Sequence, residues 1–429
     1  PVLEVHRPAG PLRGTVRPPG SKSYTNRALV LAALAGGETR VTGALDADDP
    51  NRMAEALVAL GFEVRRPRPD EFVVTGAGGT VPAREAGVYI GNAGTAARFL
   101  PPLMALGAGT YRLDGDPAMR RRPLQPLLDA LSQLGLRAKS DEGTGCPPVT
   151  ISGGPMRGGE VRMPGHVSSQ FISGLLMAGA VTPLGLRVRL TTPLVSRPYL
   201  DVTAATMAAF GVDAHADGED LWVAPGGQAY RAGNFAVEPD ATAASYFFAT
   251  AAITGGTVTV DGLGGSSHQG DLAFVDVLER MGCRVDRRAG STTVTGPEGG
   301  RLLGGFEVNM GAISDTAQTL AAIVPFADSP VTVTGIGFIR RKETDRLAAV
   351  TAELTRLGVR VDEGEDGWTI HPGQPRPGTV QTYDDHRMAM SFAVLALRAP
   401  GVLIANPACV SKTYPRFFED LSALVRASA

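Results

Sequence analysis

The chain has 429 residues, of which 43% are hydrophobic and 20% charged, so it can build two domains with ordinary buried cores. The net charge is −2 and aromatic residues make up 6%, which argues against nucleic acid or anionic membranes as partners. The three widely spaced cysteines predict neither a disulfide framework nor a zinc site, and no apolar run approaches the ~18 residues of a membrane span. We therefore expect a cytoplasmic protein.

One pattern recurs six times: a polar start, a helix of small apolar residues, a break and a short β-rich strand. The segments are SYTNRALVLAALAGGETRVTG, TAARFLPPLMALGAGTYRLDG, SSQFISGLLMAGAVTPLGLRVRL, TAASYFFATAAITGGTVTVDG, TAQTLAAIVPFADSPVTVTG and HRMAMSFAVLALRAPGVLIAN. The residues that end the strands are Gly43, Gly115, Gly262, Gly335 and Asn406, at intervals of 72, 147, 73 and 71 residues. The long interval is two periods, because the third copy lacks this glycine. The spacing predicts six repeats of about 73 residues.

A second pattern follows each of the first five copies: an amphipathic helix, a glycine and a strand. The segments are RMAEALVALGFEV, LLDALSQLGLRA, VTAATMAAFGVDA, FVDVLERMGCRV and AVTAELTRLGVRV, with glycines at 61, 135, 211, 282 and 358. Each glycine is expected to end its helix in the left-handed conformation. A further strand follows, such as FVVTG or PVTISG. Each repeat is therefore predicted to have the order βαβαββ.

The sixth copy stops after its second helix, whereas two strand-like segments, LEVHRP and RGTVRPP, precede the first copy. We expect residues 1 to about 18 to supply the sixth copy's missing strands. This predicts an α/β (α+β) fold with two domains of three repeats each, residues 19–238 and residues 1–18 plus 239–429. The alternative is two consecutive domains with a disordered N-terminal arm.

Positive charges recur at equivalent places in the repeats. Four of the 41 lysine and arginine residues are lysine, and three of those four begin a helix or precede one: Lys22, Lys342 and Lys412, but not Lys139. Arginines at similar places are Arg27, Arg98, Arg122, Arg197, Arg346 and Arg387. Helix N-termini favour anions, so this distribution favours a receptor for small polyanions over a merely solvated basic face.

Acidic residues accompany these cations. Asp315 opens a helix and is either a plain N-cap or a proton acceptor. Glu343 stands between Lys342 and Arg346, as their ion-pair partner or as a proton donor. For His386 a structural role at a helix N-terminus is favoured. The chain contains no HExxH, GxGxxG, Walker or CxxC motif, so neither metal nor nucleotide is expected.

At these residues the chain resembles the EPSP synthase (3-phosphoshikimate 1-carboxyvinyltransferase) family. The matching motifs are PGSKSYTNRALVLAAL, GNAGTAARFL, RRRP, VSSQF, SRPY, ISDTAQTLA, RRKETDRL, YDDHRMAM and SKTYP, in family order from residue 19 to 415. The resemblance implies two domains with inward helices, closing over an interdomain cleft. It also implies transfer of the enolpyruvyl group of phosphoenolpyruvate to the 5-hydroxyl of shikimate 3-phosphate, a step towards aromatic amino acids that uses no cofactor.

Site residues follow from the matched motifs. The implied contacts to shikimate 3-phosphate are Lys22, Ser23, Arg27, Ser168, Ser169, Gln170, Ser196, Tyr199, Asp315 and Lys342. Those to phosphoenolpyruvate are Lys22, Gly94, Arg122, Gln170, Arg346, Arg387 and Lys412. Arginine forks suit its carboxylate and phosphate.

Addition and elimination need a base for the attacking hydroxyl, for which we assign Asp315, and an acid for the methylene carbon, for which we assign Glu343. Lys22 could assist either transfer, so these assignments are coupled. Two positions depart from the family's pattern: Phe338 replaces a common Asn, and Phe99 a common Pro. Gly94 is retained, which predicts inhibition by glyphosate.

Two alternatives remain open. The sister enzyme, UDP-N-acetylglucosamine 1-carboxyvinyltransferase, shares the fold but carries a Lys-Asn pair where this chain has Lys22-Ser23, and usually a loop cysteine that Cys146 does not match. A non-catalytic or nucleic-acid-binding repeat protein would need basic stripes interleaved with aromatic residues. We expect a monomeric enzyme of two small substrates.

Overall fold

The computed structural model describes residues 1–428, which divide into two compact units. The inserted unit is Gly20–Glu238, and the split unit combines Pro1–Pro19 with Pro239–Ala429. The expected domain limits differ from these units at residue 19 alone. The ends of the inserted unit lie together, because the Ser21 N–H donates to the Glu238 carbonyl at 2.8 Å.

Twelve α-helices occur within residues 1–428. They are α1 (Lys22–Leu34), α2 (Asp48–Ala59), α3 (Gly94–Met104), α4 (Gln125–Gln133), α5 (Ser169–Gly179), α6 (Pro198–Ala209), α7 (Ala241–Thr254), α8 (Phe274–Arg280), α9 (Ala317–Ile323), α10 (Arg346–Arg356), α11 (His386–Ala396) and α12 (Phe417–Ala427). Short 3₁₀ segments are Met119–Arg121, Gly270–Ala273, Glu298–Gly300, Gly311–Thr316, Val324–Phe326, Gly337–Arg341 and Pro407–Lys412.

The same residues form 23 strands. They are β1 (Val2–Glu4), β2 (Arg13–Val16), β3 (Gly36–Thr42), β4 (Glu63–Arg68), β5 (Glu71–Ala77), β6 (Glu85–Tyr89), β7 (Thr110–Asp114), β8 (Arg137–Ser140), β9 (Val149–Ser152), β10 (Gly159–Met163), β11 (Leu186–Leu190), β12 (His215–Ala216), β13 (Leu221–Ala224), β14 (Asn234–Ala236), β15 (Thr257–Asp261), β16 (Arg284–Arg287), β17 (Ser291–Thr295), β18 (Phe306–Asn309), β19 (Val331–Thr334), β20 (Val361–Glu363), β21 (Trp368–Ile370), β22 (Gly378–Val380) and β23 (Val402–Ala405).

Each repeat builds one small mixed sheet. In the inserted unit the strand orders are β14-β3-β5-β4, β6-β7-β9-β8 and β10-β11-β13-β12. In the split unit they are β2-β15-β17-β16, β18-β19-β21-β20 and β1-β23-β22. In four repeats the strands on either side of the first helix pair in parallel. In the first and fourth repeats the parallel partner comes from elsewhere in the chain, with β14 against β3 and β2 against β15. The other pairs are antiparallel. The predicted α/β fold with three repeats per unit is confirmed. Five repeats have the predicted four strands, and the sheet of the sixth repeat has three.

The expectation that the N-terminal arm completes only the sixth repeat is wrong. Strand β1 does pair with β23 of that repeat, with Leu3 opposite Ile404. Strand β2, however, pairs in parallel with β15 and so provides the first strand of the fourth repeat. In the inserted unit β14 likewise closes the first repeat against β3. Each unit is therefore closed by strands from opposite ends of its sequence.

The first helices of the repeats form the interior of each unit. In the inserted unit α1, α3 and α5 pack against one another, and α7, α9 and α11 do so in the split unit. These helices are buried nearly along their whole length, whereas the second helices bury one face. Their apolar composition explains this, because a helix that is apolar on every side needs cover on every side. The predicted inward helices are confirmed.

The five glycines after the second helices all have positive φ, between +81° and +93°. Each helix ends in the same pair of hydrogen bonds, illustrated by α2. There the Gly61 N–H donates to Val58 O at 2.9 Å and the Phe62 N–H donates to Leu57 O at 3.0 Å. This is the Schellman motif, and it satisfies carbonyl groups that the helix end would otherwise leave unbonded. The predicted left-handed glycine caps are confirmed.

Candidate active site

Polar side chains cap the buried helices α1, α5, α7 and α11, and several predicted site residues lie at these N-termini. Ser21 Oγ accepts from the Tyr24 N–H at 3.3 Å at the start of α1, and Ser168 Oγ accepts from the Gln170 N–H at 3.3 Å at the start of α5. Asp385 Oδ1 accepts from the backbone N–H of Arg387 at 2.9 Å at the start of α11. Ser168 therefore serves as the N-cap of α5.

In the inserted unit Arg27 is buried, with 1% of the residue exposed. Its Nε donates to Thr203 Oγ1 at 2.7 Å and its Nη1 to Ser23 O at 3.0 Å. Its Nη2 donates to Tyr199 O at 3.1 Å and to Ser173 Oγ at 3.4 Å. Burial lowers the pKa of this guanidinium to about 10. These contacts use four of its five N–H groups, so Arg27 first of all ties α1 to α5 and α6.

Arg122 lies against the start of α3. Its Nη1 donates to Asn92 Oδ1 at 3.0 Å, and a Cβ added to Gly94 would lie 2.5 Å from Nη2. Only a residue without a side chain leaves room for the guanidinium there. Arg122 is 8% exposed, and its buried Nε has no hydrogen-bond partner within residues 1–428. A buried cation with unused donors is suited to an incoming anion.

Further contacts join the predicted residues of this unit. Gln170 Nε2 donates to Thr95 Oγ1 at 3.4 Å, which links the starts of α5 and α3. Ser169 is buried beside Gln170, and Ser196 has a left-handed backbone with φ +55° ahead of α6. The Ser196 carbonyl accepts from the Tyr199 N–H at 3.2 Å.

Lys22, the first residue of α1, forms an ion pair between Nζ and Asp49 Oδ2 at 3.5 Å. Asp49 is buried in the first turn of α2. No role was predicted for it from the motifs. Two of the other cations are exposed to solvent. Arg197 is exposed over the Trp222 ring at 5.8 Å, and Lys139 is exposed on β8.

In the split unit three carboxylates surround Arg346, the first residue of α10. Its Nε donates to Asp385 Oδ2 at 2.7 Å, its Nη1 to Asp315 Oδ1 at 3.2 Å and its Nη2 to Glu343 Oε2 at 2.7 Å. Arg346 is 1% exposed. Burial by itself would lower its pKa, but Asp385, Glu343 and Asp315 hold the pKa above its usual range. Arg346 is therefore the centre of a buried ion network.

Asp315 bridges two arginines, because its Oδ2 also accepts from Arg387 Nη2 at 2.9 Å. It lies in the 3₁₀ segment Gly311–Thr316, and Thr316 occupies the N-cap position of α9. The interpretation of Asp315 as the plain N-cap of this helix is therefore wrong. Asp315 is therefore held between two arginines within the buried ion network.

Glu343 is shared between two cations, Arg346, which the ion-pair interpretation named, and Lys412, which it did not name. Besides Arg346, it contacts Lys412, with 3.2 Å between Oε1 and Nζ. Lys412 is 9% exposed and ends the 3₁₀ segment Pro407–Lys412. The network thus brings together Asp315, Glu343, Arg346, Arg387 and Lys412, five of the predicted site residues.

Both departures from the family's pattern lie against a predicted site cation. The Arg27 guanidinium carbon is 5.1 Å from the centre of the Phe99 ring. The Lys342 Nζ is 5.9 Å from the centre of the Phe338 ring. Aromatic faces attract cations, so each ring supports a neighbouring positive charge.

Two buried carboxyl groups of the split unit were not predicted from the motifs. Asp385 caps α11 and holds Arg346, although it was given no role. Asp271 accepts a hydrogen bond from Thr242 Oγ1, and its segment Gly270–Ala273 packs against the segment that carries Asp315. Burial, followed by the negative charge of Asp315, raises the pKa of Asp271 to about 7. Asp385 could have been predicted, because an acidic residue at the N-cap position precedes His386 and Arg387 in the sequence. Asp271 lies in no recognised motif.

Within residues 1–428 no group of three or more His, Cys, Asp or Glu side chains is placed to hold a metal ion. In the same residues, no helix combines the length and apolar character that crossing a membrane requires. The side chains that are gathered can bind anions and transfer protons.

A family model described as EPSP synthase (3-phosphoshikimate 1-carboxyvinyltransferase) matches residues 6–421. The chain belongs to this family. A curated relative with that enzyme name from Nostoc sp. (strain PCC 7120) is 44% identical over 409 residues, covering 95% of this chain and 96% of the relative. A chloroplastic relative of the same name from Brassica napus is 43% identical over 438 residues, covering 98% and 85%.

A solved EPSP synthase from Acinetobacter baumannii superposes with a TM-score of 0.82 at 26% identity, covering 99% of this chain and 97% of that one. The family membership and the fold class predicted from the motifs are confirmed, and the chain is a transferase of this family. The individual site assignments stay predictions.

Proposed function

We propose that this chain transfers the enolpyruvyl group of phosphoenolpyruvate to the 5-hydroxyl of shikimate 3-phosphate and releases phosphate. The observation that carries the proposal is the Arg346 network, which holds two candidate proton-transfer carboxylates, Asp315 and Glu343, next to three cations. The family membership and the names of the curated relatives support it.

The first step adds the substrate hydroxyl across the double bond of phosphoenolpyruvate. The substrate's oxygen forms a bond to C2, Asp315 takes the hydroxyl proton, and Glu343 gives a proton to the C3 methylene. In the second step the bond between C2 and the phosphate oxygen breaks, and phosphate leaves with the electron pair and takes up the proton held by Asp315. C3 gives a proton back to Glu343 as the double bond forms again. Lys22 is a further candidate for proton transfer at the hydroxyl. Its Nζ lies 3.5 Å from Asp49 Oδ2, so Lys22 is itself paired with a carboxylate.

We assign phosphoenolpyruvate to Arg122, Arg346, Arg387 and Lys412, with Gly94 leaving space at Arg122. Its carboxylate and phosphate match the bidentate geometry of arginine. Arg346 and Arg387 are paired with carboxylates of the protein, so the incoming anion has to share these donors. Lys22 and Gln170 complete this set.

We assign shikimate 3-phosphate to hydroxyl, amide and cationic groups, since a polyol phosphate needs both kinds of partner. The proposed residues are Lys22, Ser23, Arg27, Ser168, Ser169, Gln170, Ser196, Tyr199, Asp315 and Lys342. Arg27 uses four of its five N–H groups in hydrogen bonds within the protein, so one N–H group is left to contact shikimate 3-phosphate.

The activity is tested by measuring phosphate release with each substrate alone and with both together. We expect release only when both are present. Release with UDP-N-acetylglucosamine in place of shikimate 3-phosphate would instead assign the chain to the sister reaction.

The role of Asp315 is tested by Asp315→Asn, which keeps the shape but removes the base. We expect turnover to fall by at least about 100-fold with a far smaller change in the Michaelis constants. The matched control is Asp261→Asn, a carboxylate of the same unit whose partner is the exposed Arg17. Near-normal turnover in Asp315→Asn would contradict the assignment.

We further propose that the enzyme acts as a cytoplasmic monomer on these two small molecules. The three widely spaced cysteines, which fit a reducing compartment, support the cytoplasmic location. Sedimentation analysis over a range of concentrations tests the monomer, and a constant mass is the expected result.

A further inference from the structure

Two neighbouring residues before α11 have left-handed backbones although neither is glycine. Tyr383 and Asp384 both have φ +55°. The Asp385 N–H donates to the Thr382 carbonyl at 2.8 Å and so closes a four-residue turn around them. Positive φ at both central positions is the pattern of a type I′ turn, which usually takes glycine or asparagine there. A turn of Tyr and Asp is strained and needs support from its surroundings.

That support comes from Glu353 on α10, whose side chain is fully buried. Its Oε1 accepts from the Tyr383 hydroxyl at 2.7 Å, and its Oε2 accepts from the Gln381 N–H at 2.9 Å. Arg356 neutralises the carboxylate, with its Nε 3.0 Å from Oε2. Glu353 therefore holds one central side chain of the turn and the backbone that leads into it.

The turn ends at Asp385, which organises the Arg346 network. Asp385 Oδ2 accepts from Arg346 Nε at 2.7 Å, and Oδ1 accepts from the Arg387 N–H at 2.9 Å. Arg346 begins α10, the same helix that carries Glu353 two turns later. One helix thus presents the arginine and also fixes the loop that supplies the arginine's buried carboxylate partner.

We propose that Glu353 is a positioning residue, which holds the strained Tyr383–Asp384 turn through Tyr383 and thereby sets the position of Asp385, Arg346 and Arg387. The kinetic part of this inference rests on the proposed function, in which the two arginines bind phosphoenolpyruvate. The structural part rests on the hydrogen bonds alone.

The test removes one hydrogen bond by Tyr383→Phe, because removing the buried Glu353 carboxylate endangers folding. We expect the KM for phosphoenolpyruvate to rise roughly tenfold and the KM for shikimate 3-phosphate to change less than about twofold. Hydrogen exchange followed by mass spectrometry should show faster exchange in residues 381–388 and little change elsewhere in the split unit.

The decisive variant adds Asp384→Gly to Tyr383→Phe. Glycine takes positive φ without strain, so the double variant no longer needs the hydroxyl to hold the turn. We expect it to recover most of the affinity for phosphoenolpyruvate and the slow exchange of residues 381–388. No recovery, or exchange that is raised throughout the unit, would reduce Glu353 to a general packing role and overturn the proposal.

Tyr111→Phe is the matched control, since the Tyr111 hydroxyl donates a 2.7 Å hydrogen bond to the Ala83 carbonyl in the other unit. We expect it to leave the KM for phosphoenolpyruvate unchanged. An unchanged KM in Tyr383→Phe as well would also overturn the proposal. If the wild-type chain released no phosphate with the two substrates, the proposed function would fail, while exchange and its recovery in the double variant would still decide whether Glu353 holds the turn.

Discussion

The buried arginines of the inserted unit and those of the split unit have different hydrogen-bond and ion-pair partners. Arg27 and Arg122 are surrounded by hydroxyl, carbonyl and amide oxygens. Arg346 and Arg387 are surrounded by carboxylates. Arg27 and Arg387 lie near the starts of buried first helices, and Arg122 and Arg346 lie before or at the starts of second helices, so the repeat explains their placement but not their partners.

The difference indicates a division of work within the chain. Cations with neutral partners keep their charge uncompensated, which favours binding of an anion. Where cations are paired with carboxylates, the positive and negative charges nearly cancel. The carboxylates of such pairs are available for proton transfer. Four substitutions test this comparison, from the largest expected effect to the smallest.

Arg346→Met should have the largest effect. It leaves Asp315, Glu343 and Asp385 close together without their shared cation, so we expect a loss of ~3–5 kcal/mol in the free energy of unfolding. Urea unfolding measures it, with the exposed Arg360→Met as control. The remaining carboxylates repel one another when they are ionised, so the deficit should be smaller in acid than at neutral pH. A deficit that is independent of pH would contradict the network.

Arg27→Met should cost less, about 1–3 kcal/mol, because its partners are uncharged and lose only hydrogen bonds. None of these partners titrates between about pH 5 and 8, so the loss should be constant over that range. Urea unfolding at several pH values measures both features. A loss as large and as pH-dependent as that of Arg346→Met would remove the distinction between the two units.

Gly94→Ala sharpens the comparison at Arg122. The new Cβ would come within 2.5 Å of Arg122 Nη2, so the guanidinium must move. We expect an intact fold, a KM for phosphoenolpyruvate raised about tenfold, and weaker inhibition by glyphosate, which we predict to inhibit the wild-type chain. The control is Gly87→Ala, where an added Cβ meets open space. Unchanged kinetics in Gly94→Ala would separate Arg122 from this substrate.

Asp271→Asn should have the smallest effect, visible mainly in the pH dependence of stability. The folded-state pKa of Asp271 is raised from 3.8 to about 7, so its contribution is full below 3.8 and is lost as the pH rises towards 7. We therefore expect the melting temperature of the wild-type chain to fall relative to Asp271→Asn between about pH 4 and 8. Asp286→Asn, at an exposed carboxylate, serves as control. If the melting temperatures of the wild-type chain and Asp271→Asn changed with pH in parallel, the raised pKa of Asp271 would be contradicted.

The features that sequence patterns predicted are local ones. Gly61 and its four counterparts could be recognised as helix ends because an amphipathic period stops immediately before each. The repeat spacing located the helix starts that carry Lys22, Gly94 and Arg387. Strand β2 was assigned to the wrong repeat, because three or four extended residues do not specify which distant strand they pair with.

The partners within the site could not be predicted for a similar reason. Glu353 is one polar residue on an amphipathic helix, and Asp271 follows a glycine in a short 3₁₀ segment, so neither differs locally from a solvated acid. Only tertiary packing brings Glu353 to Tyr383 and places the segment of Asp271 against that of Asp315.

The exchange of strands also sets an order for folding during synthesis. The inserted unit is complete once Glu238 has been made, with β14 closing its first sheet. Strand β1 must wait for its partner at Ala405, about 400 residues later, which at ~5–20 residues per second is roughly 20–80 s. On the ribosome, the middle of this chain is therefore expected to fold before its beginning.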